Sequence, residues 1–245
     1  LNINEVSLDW AAVMGRKNEV VTQLRTGVER IVKSYGIEVR TGSGVIKGPG
    51  RVAVSDGGRT ETVETGNIII ATGAVPKELP TLGAGLSGLL TSDEALELTE
   101  IPGRLAVIGA GAVGLEFASI YAAFGSEVTV IELQPTILPS LDADLAKRVA
   151  MVMRKQGIRI ITGAETIKAD QAGTEIRLQV GHGGRTDEVA ADRLLIAGGR
   201  RPVVENLDLA AAGVEFDAAG IRVNERMATN IPGIYAVGDV TGRDM

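Results

Sequence analysis

The 245-residue sequence predicts an α/β protein of two related parallel-sheet domains, each with an antiparallel β-meander. Three observations carry that prediction. Glycine is abundant, at 32 residues, while aromatics make up 3 %, a composition suited to tight turns and close backbone approaches. Two segments repeat one order of elements at an offset of 126 positions. A glycine-rich turn, Gly109–Gly114, stands between an apolar strand and an apolar helix.

The first segment opens with a helix over roughly Asp9–Tyr35. Val20, Leu24, Val28, Ile31 and Tyr35 form its apolar stripe, and Gly36 ends it. A strand is expected in "GIEVRTG" (36–42). "RVAVSDGGRTETVE" (51–64) alternates around an Asp-Gly-Gly turn and reads as a β-hairpin. A buried strand in "NIIIATGAVP" (67–76) closes the unit.

The second segment begins with a helix near Asp142–Gln156. "GIRIITG" (157–163) then repeats "GIEVRTG", the hairpin is "TEIRLQVGHGGRTDEVA" (174–190), and the closing strand is "RLLIAGGRRP" (193–202). Ile70/Ile196, Ala71/Ala197, Gly73/Gly199 and Pro76/Pro202 share the offset of 126. Four matches in one block, with elements in one order, indicate duplication. The second copy is preceded by "RLAVIGAGAVGLEFASIYAAFGSEVTVIE" (104–132). An equivalent for the first copy would lie upstream of Leu1, so the repeat predicts a missing N-terminus.

Composition excludes several function classes. Net charge is −6 with basic residues scattered, which argues against nucleic acid as a partner. No apolar run approaches the ~20 residues of a membrane helix, so no membrane partner is expected. Cysteine is absent, which excludes disulfides, thiolate metal sites and thiol nucleophiles within this sequence. No metal site is expected. The first residue is Leu1 and there is no signal-peptide pattern. The expectation is a soluble protein of the cytoplasm or of the mitochondrial matrix.

Gly109-Ala110-Gly111-Ala112-Val113-Gly114 matches GxGxxG, between the strand Leu105–Ile108 and the helix Leu115–Phe124. A second strand, Val128–Ile131, ends on Glu132, 23 positions after Gly109. In this pattern Gly109 permits the tight turn, Gly111 lets a pyrophosphate approach the backbone, and Gly114 lets helix pack on strand. The helix N-terminus offers free N–H groups and partial positive charge to phosphates. Glu132 can accept from the adenosine ribose hydroxyls and would repel a 2′-phosphate, which favours NAD(H) over NADP(H). These elements in register predict a Rossmann-type dinucleotide site.

With these motifs, the sequence resembles the pyridine nucleotide–disulfide oxidoreductases, and among them the dihydrolipoyl dehydrogenase branch. The residues that carry the resemblance are "IIIATGAVP", "LAVIGAGAVGLEFASIYAAFGSEVTVIE", "AGGRRPVVENL" and "TNIPGIYAVGDVTG", with "TSDEALEL" before the fingerprint. It covers the whole sequence. The resemblance implies two Rossmann-like domains, an FAD domain that is incomplete here (residues 1–76, returning at 201–245) and an inserted NAD domain (77–200). It implies FAD and NAD as cofactors, dihydrolipoamide on a lipoyl domain of a 2-oxo acid dehydrogenase complex as partner, and a homodimer through a C-terminal domain. Electrons would pass from dihydrolipoamide to a redox disulfide, then to flavin, then to NAD+.

The resemblance also assigns positions. Gly44, Ala71, Thr72, Gly73, Gly238, Asp239 and Met245 would contact FAD, with the Asp239 carboxylate on the ribityl chain. Gly109, Ala110, Gly111, Ala112, Val113 and Gly114 would cradle the NAD pyrophosphate, and Glu132 would take the ribose. Glu116 and Gly199 would lie on the nicotinamide side, and the Glu165 backbone at adenine. The N-terminal FAD fingerprint, the CxxxxC pair with its following Lys, and the C-terminal His-Glu pair are not in the sequence. No catalytic residue is therefore expected within it, and these absences read as truncation. A mercuric reductase and a soluble transhydrogenase are the first rivals. Glutathione reductase fits less well, because Glu132 and Gly114 favour NAD. A nucleotide-binding module without turnover is the reading from another class.

Simpler roles stand beside these. His182, the sole histidine, lies at a hairpin tip and reads as a solvated turn residue. Arg200 and Arg201 read equally as turn caps before Pro202 or as cofactor contacts. Glu116 also suits a helix surface, Trp10 suits packing, and "DADLAKRV" suits a capped, solvated helix start.

Overall fold

The structure, a computed structural model, describes residues 7–77, 79, 82 and 85–243. Two compact units divide it. One holds Pro76–Gly199 with the start of the first helix through Gln23. The other holds Leu24–Val75 and the chain from Arg200 onward.

Helix α1 (Trp10–Ser34) starts where the Asp9 carboxylate accepts the Ala12 N–H at 3.0 Å. Its first half is anchored by Trp10. The indole lies edge-on to Phe124 at 5.1 Å, and its N–H donates to the Leu98 carbonyl at 2.9 Å. Lys17 adds bonds to the Leu96 carbonyl and to Glu97. The packing expected of Trp10 is therefore present. The stripe Val20, Leu24, Val28, Ile31 and Tyr35 is exposed instead, with Leu24 at 66 % and Tyr35 at 78 %.

The expected strand at 36–42 does not form. The chain there is extended, with Ile37 and Val39 exposed, and the first strand starts only at Ser43. Its twin in the second copy does form a strand, because a parallel neighbour supplies the ladder. A strand is a pairing, and among the described residues 36–42 has no partner.

The flanking unit continues with β1 (Ser43–Ile46), β2 (Arg51–Asp56) and β3 (Arg59–Glu64), an antiparallel meander in that order. Asp56 pairs with Arg59 around the Gly57–Gly58 turn, as the hairpin pattern requires. Then come β4 (Ile68–Ile70) and β5 (Ala74–Pro76). In β4, Ile68 and Ile70 are buried and Ile69 is exposed, so the strand expected to be buried covers a core on one face only.

The other unit begins with β6 (Leu89–Leu90) and the one-turn helix α2 (Ser92–Ala95). Thr91 and Glu94 close a capping box at its start. Strand β7 (Arg104–Ile108), helix α3 (Ala112–Ala123), strand β8 (Glu127–Glu132), helix α4 (Ala143–Lys155) and strand β9 (Arg159–Thr162) follow. Next come the meander β10 (Ala164–Ala172), β11 (Glu175–His182), β12 (Arg185–Ala191), and then β13 (Arg193–Ile196). A parallel sheet runs β6-β13-β7-β8-β9.

Side-chain alternation along these strands builds the layers. Leu105, Val107, Val128, Val130 and Leu195 face a core made with Leu115, Ala118 and Tyr121 of α3 and Ala146, Ala150 and Met153 of α4. Ala106, Ile131, Leu194 and Ile196 face the opposite core, with Ile176, Leu178, Val180 and Val189 of the meander. The sheet is thus covered by helices on one side and by the meander on the other. α4 starts as the capped, solvated turn expected, with Asp142 accepting the Asp144 N–H at 2.9 Å.

The chain then returns to the flanking unit through β14 (Arg200–Pro202), β15 (Phe216–Asp217), β16 (Gly220–Ile221) and β17 (Ile234–Ala236). β17 pairs in parallel with β4, and β14 pairs with β5. Ile46, Ile68, Ile70, Leu209, Ile221, Ile234 and Val240 make the core of this unit. The duplication shows in the hydrogen bonds. Lys77 N–H donates to Gly199 O at 3.0 Å, and Val203 N–H donates to Gly73 O at 2.9 Å. Each donor and acceptor of one bond has its counterpart 126 positions away in the other.

Arg104, at the start of β7, ties the meander to the sheet. Its guanidinium reaches Asp192 at 2.6 Å and Glu175 at 3.1 Å, and its backbone N–H donates to Asp192 at 2.8 Å. The side-chain bond from Arg104 holds Asp192 below the usual carboxylate range, and Arg177 with Arg104 does the same for Glu175. Carboxylates depressed in the folded state stabilise above their unfolded pKa, about 4, and lose that contribution as pH falls through the folded value. Asp192→Asn is expected to lower the urea midpoint at pH 7. In urea titrations from pH 7 to 3, its gap from the parent protein narrows once pH drops below about 4.

Candidate functional site

Three strand ends meet at the carboxyl edge of the parallel sheet. β7 leads to Gly109, β8 ends on Glu132, and β13 leads to Gly198 and Gly199. From β7 the chain goes by α3 to β8 on one side, while β13 pairs on the other. Open α/β sheets place ligands outside the carboxyl ends of strands whose connections diverge in this way.

The turn after β7 has no room for side chains at two positions. Gly109 has φ +103, and a Cβ there would overlap the Ala197 carbonyl. A Cβ on Gly114 would overlap the Gly109 carbonyl. α3 thereby starts close against the end of β7. Among the described residues nothing lies within 4 Å of a Cβ position on Gly111, the N-cap, and no side chain caps the helix. Ala112 and Val113 are exposed at this first turn. Their N–H groups lie in the helix's opening turn, which has no intrahelical acceptors, so the geometry suits an anion.

Glu132 lies beside the turn and is 8 % exposed. One carboxylate oxygen accepts the Ala110 N–H at 2.6 Å, and the other accepts the Gln134 N–H at 2.7 Å. Gln134 in turn accepts the Gly163 N–H at 2.8 Å. That bond ties the corner before Glu165 to the end of β8. Glu165 itself is exposed on β10, opposite Gly181. Glu116 is exposed one turn into α3 and makes no side-chain hydrogen bond among the described residues. Gly199 has φ +106 and lies beside Lys77, whose ammonium is 3.8 Å from a Cβ position on that glycine.

A second, smaller arrangement of the same kind lies in the flanking unit. Ala71-Thr72-Gly73 leave the end of β4, and Val237-Gly238-Asp239 leave the end of its parallel partner β17. Val237 N–H donates to Ile70 O at 2.9 Å, so the two exits are held side by side. Thr72 gives its hydroxyl to Val203 O at 2.7 Å. Asp239 is exposed in the 3₁₀ turn Gly238–Thr241, and its carboxylate makes no hydrogen bond among the described residues. Gly44 sits elsewhere, on β1 opposite Val54. Met245 lies outside the described residues.

The remaining candidates have local partners. Arg200 donates to Ala74 O at 2.6 Å, and Arg201 pairs with Glu205. His182 is exposed at the end of β11, next to the Gly183–Gly184 turn. Sequence reasoning missed Gly242, where a Cβ would overlap the Ala219 carbonyl, so this glycine seats the turn that carries Asp239. The "VTG" that follows Gly238-Asp239 held that signal. It also missed that the Glu132 carboxylate is engaged by the backbone N–H groups of Ala110 and Gln134.

The family model described as pyridine nucleotide-disulphide oxidoreductase matches residues 2–245. A mitochondrial dihydrolipoyl dehydrogenase of Pisum sativum is 37 % identical over 98 % of this chain and 49 % of its own length. Dihydrolipoyl dehydrogenase 3 of Pseudomonas aeruginosa is 38 % identical over 97 % of this chain and 52 % of its own. This chain therefore spans about half the length of these curated relatives. A solved structure of the HOCl-induced flavoprotein disulfide reductase RclA from Escherichia coli superposes with a TM-score of 0.87 at 32 % identity. That match covers 96 % of this chain and 53 % of the other.

The two kinds of glycine separate by substitution. Gly114→Ala is expected to cost about 1–3 kcal/mol of stability through overpacking. Gly111→Ala meets open space and is expected to cost less, up to about 1 kcal/mol, because alanine is a poorer N-cap than glycine. Chemical denaturation of both variants checks this.

Proposed function

Because this chain belongs to the pyridine nucleotide-disulphide oxidoreductase family, we propose that it binds NAD(H) in the crevice at the carboxyl edge of its parallel sheet. One observation carries the reading. A close-packed glycine turn, an uncapped helix N-terminus and a buried carboxylate converge at the end of β7 and β8. In this reading the amides of Gly111, Ala112 and Val113 receive the pyrophosphate, with Gly109, Ala110 and Gly114 shaping the turn. Glu132 offers its remaining lone pairs to the adenosine ribose, and its charge disfavours a 2′-phosphate. Glu165 borders adenine, and Glu116 and Gly199 border the nicotinamide.

The same reasoning assigns Ala71, Thr72, Gly73, Gly238 and Asp239 to FAD, with Gly44 and Met245 as further contacts. Asp239 supports this, being an exposed carboxylate without an internal partner among the described residues. When bound, the two cofactors supply the hydride chemistry, and the protein orients them and limits water access. The domain roles follow, with NAD on 77–200 and FAD on 1–76 and 201–245.

The activity proposed for the whole protein is that of a dihydrolipoyl dehydrogenase, acting on lipoyl groups of a 2-oxo acid dehydrogenase complex as a homodimer. The names of the curated relatives support this. A second reading is a nucleotide-binding module without turnover. It is favoured for the chain as it stands by the absence of cysteine, which leaves no thiol to reduce flavin.

Fluorescence titration and a turnover assay test these proposals together. The 245-residue chain is expected to bind NADH at least about tenfold more tightly than NADPH, a difference of about 1.4 kcal/mol. It is expected to retain little flavin and to show no lipoamide-dependent NADH oxidation. Tighter binding of NADPH would overturn the role given to Glu132, and lipoamide turnover would overturn the module reading.

A further inference from the structure

We propose that Glu132 is a positioning residue that shapes the phosphate cradle itself, beyond any contact it makes with a ribose. The inference rests on the NAD reading above. Gly109 N–H donates to Ile131 O at 2.9 Å, and Ala110 N–H donates to the Glu132 carboxylate at 2.6 Å. The first two amides of the turn are thus both committed to the end of β8. Gly111 is the next residue, and from there the amides are those of the uncapped helix start. The bond from Ala110 therefore sets the direction in which those free amides point. Ala110 is not a phosphate donor in this arrangement, although it lies within GxGxxG.

The second oxygen of Glu132 accepts from Gln134 at 2.7 Å, so the side chain is held at both oxygens and cannot rotate away. A carboxylate suits this position because it presents two acceptors and no donor, with a lone pair left on each oxygen for a ribose hydroxyl. Glutamine presents one acceptor and one NH2 group. Its NH2 would oppose a backbone N–H in a site that is 8 % exposed, leaving a buried donor without an acceptor. Coenzyme choice and cradle order are then coupled in one side chain. Neutralising Glu132 to admit a 2′-phosphate also loosens the turn that receives the pyrophosphate.

A dideoxy coenzyme separates the two roles. The probe is an NADH analogue lacking both hydroxyls of the adenosine ribose. Its dissociation constant is measured for the 245-residue chain and for Glu132→Gln, at a temperature well below either unfolding transition. A carboxylate that served only ribose hydroxyls would have nothing to bind in this analogue. We expect Glu132→Gln to weaken the analogue about 5–10-fold, the loss of one hydrogen bond of about 1–1.4 kcal/mol. Amide shifts on substitution should concentrate at Ala110–Val113 and leave the meander unchanged. Equal dissociation constants for the analogue in the two proteins would overturn the proposal. A parent protein that binds neither NADH nor the analogue would overturn the NAD reading instead. Hydrogen exchange on the parent protein gives a second arm that needs no variant. The Ala110 and Gln134 amides should be protected without ligand, and free exchange at both would overturn the clamp.

Discussion

There is no space for a side chain between the end of β7 and what packs against it. A methyl group at Gly109 would enter the Ala197 carbonyl, and one at Gly114 would enter the Gly109 carbonyl. Helix α3 can start there only because both positions are glycine. That close approach fixes where α3 enters over the sheet, whose strands run in the parallel order β13-β7-β8. Glu132 meets the turn from the β8 side, accepting the Ala110 N–H in a buried position while its other oxygen is held by the Gln134 N–H.

The layers around this point serve to hold it still. Tyr121 of α3 is buried and gives its hydroxyl to Ala95 O at 2.6 Å. Trp10 of α1 packs on Tyr121 and Phe124 from outside. On the other face the meander is fixed by Arg104, which bonds both Asp192 and Glu175. The flanking unit repeats the principle on a smaller scale. β4 and β17 run in parallel, and their exits place Thr72 and Asp239 on neighbouring turns. In both units, polar groups stand at turns whose backbones are fixed by buried strands, Glu132 buried in the first and Thr72 and Asp239 exposed in the second.

Much of this was legible because periodicity and turn chemistry are local. The glycine fingerprint, the acid at the end of β8, the capped start of α4 and both hairpins need only a few neighbouring residues to specify them. The repeat was legible because matching motifs recur at one offset, and the bonds Lys77–Gly199 and Val203–Gly73 bear it out. What failed depended on partners that local sequence does not encode. "GIEVRTG" and "GIRIITG" have the same pattern, yet among the described residues only the second lies beside a parallel strand, pairing Thr129 with Arg159 through Glu132 with Thr162. The stripe on α1 has helical spacing, which makes a helix amphipathic without saying what covers it. The commitment of Glu132 to Ala110 was hidden for the same reason, since it joins residues 22 positions apart across two strands.

The central claim is that the β7–α3 turn, the end of β8 and the loop after β13 form one nucleotide site. Mapping amide chemical shifts of the isotope-labelled chain during NADH titration tests it most directly. The account predicts that the largest shifts fall on Gly111–Gly114, on Glu132–Gln134 and on Gly198–Gly199. Saturable shifts confined to residues away from these three segments would contradict it.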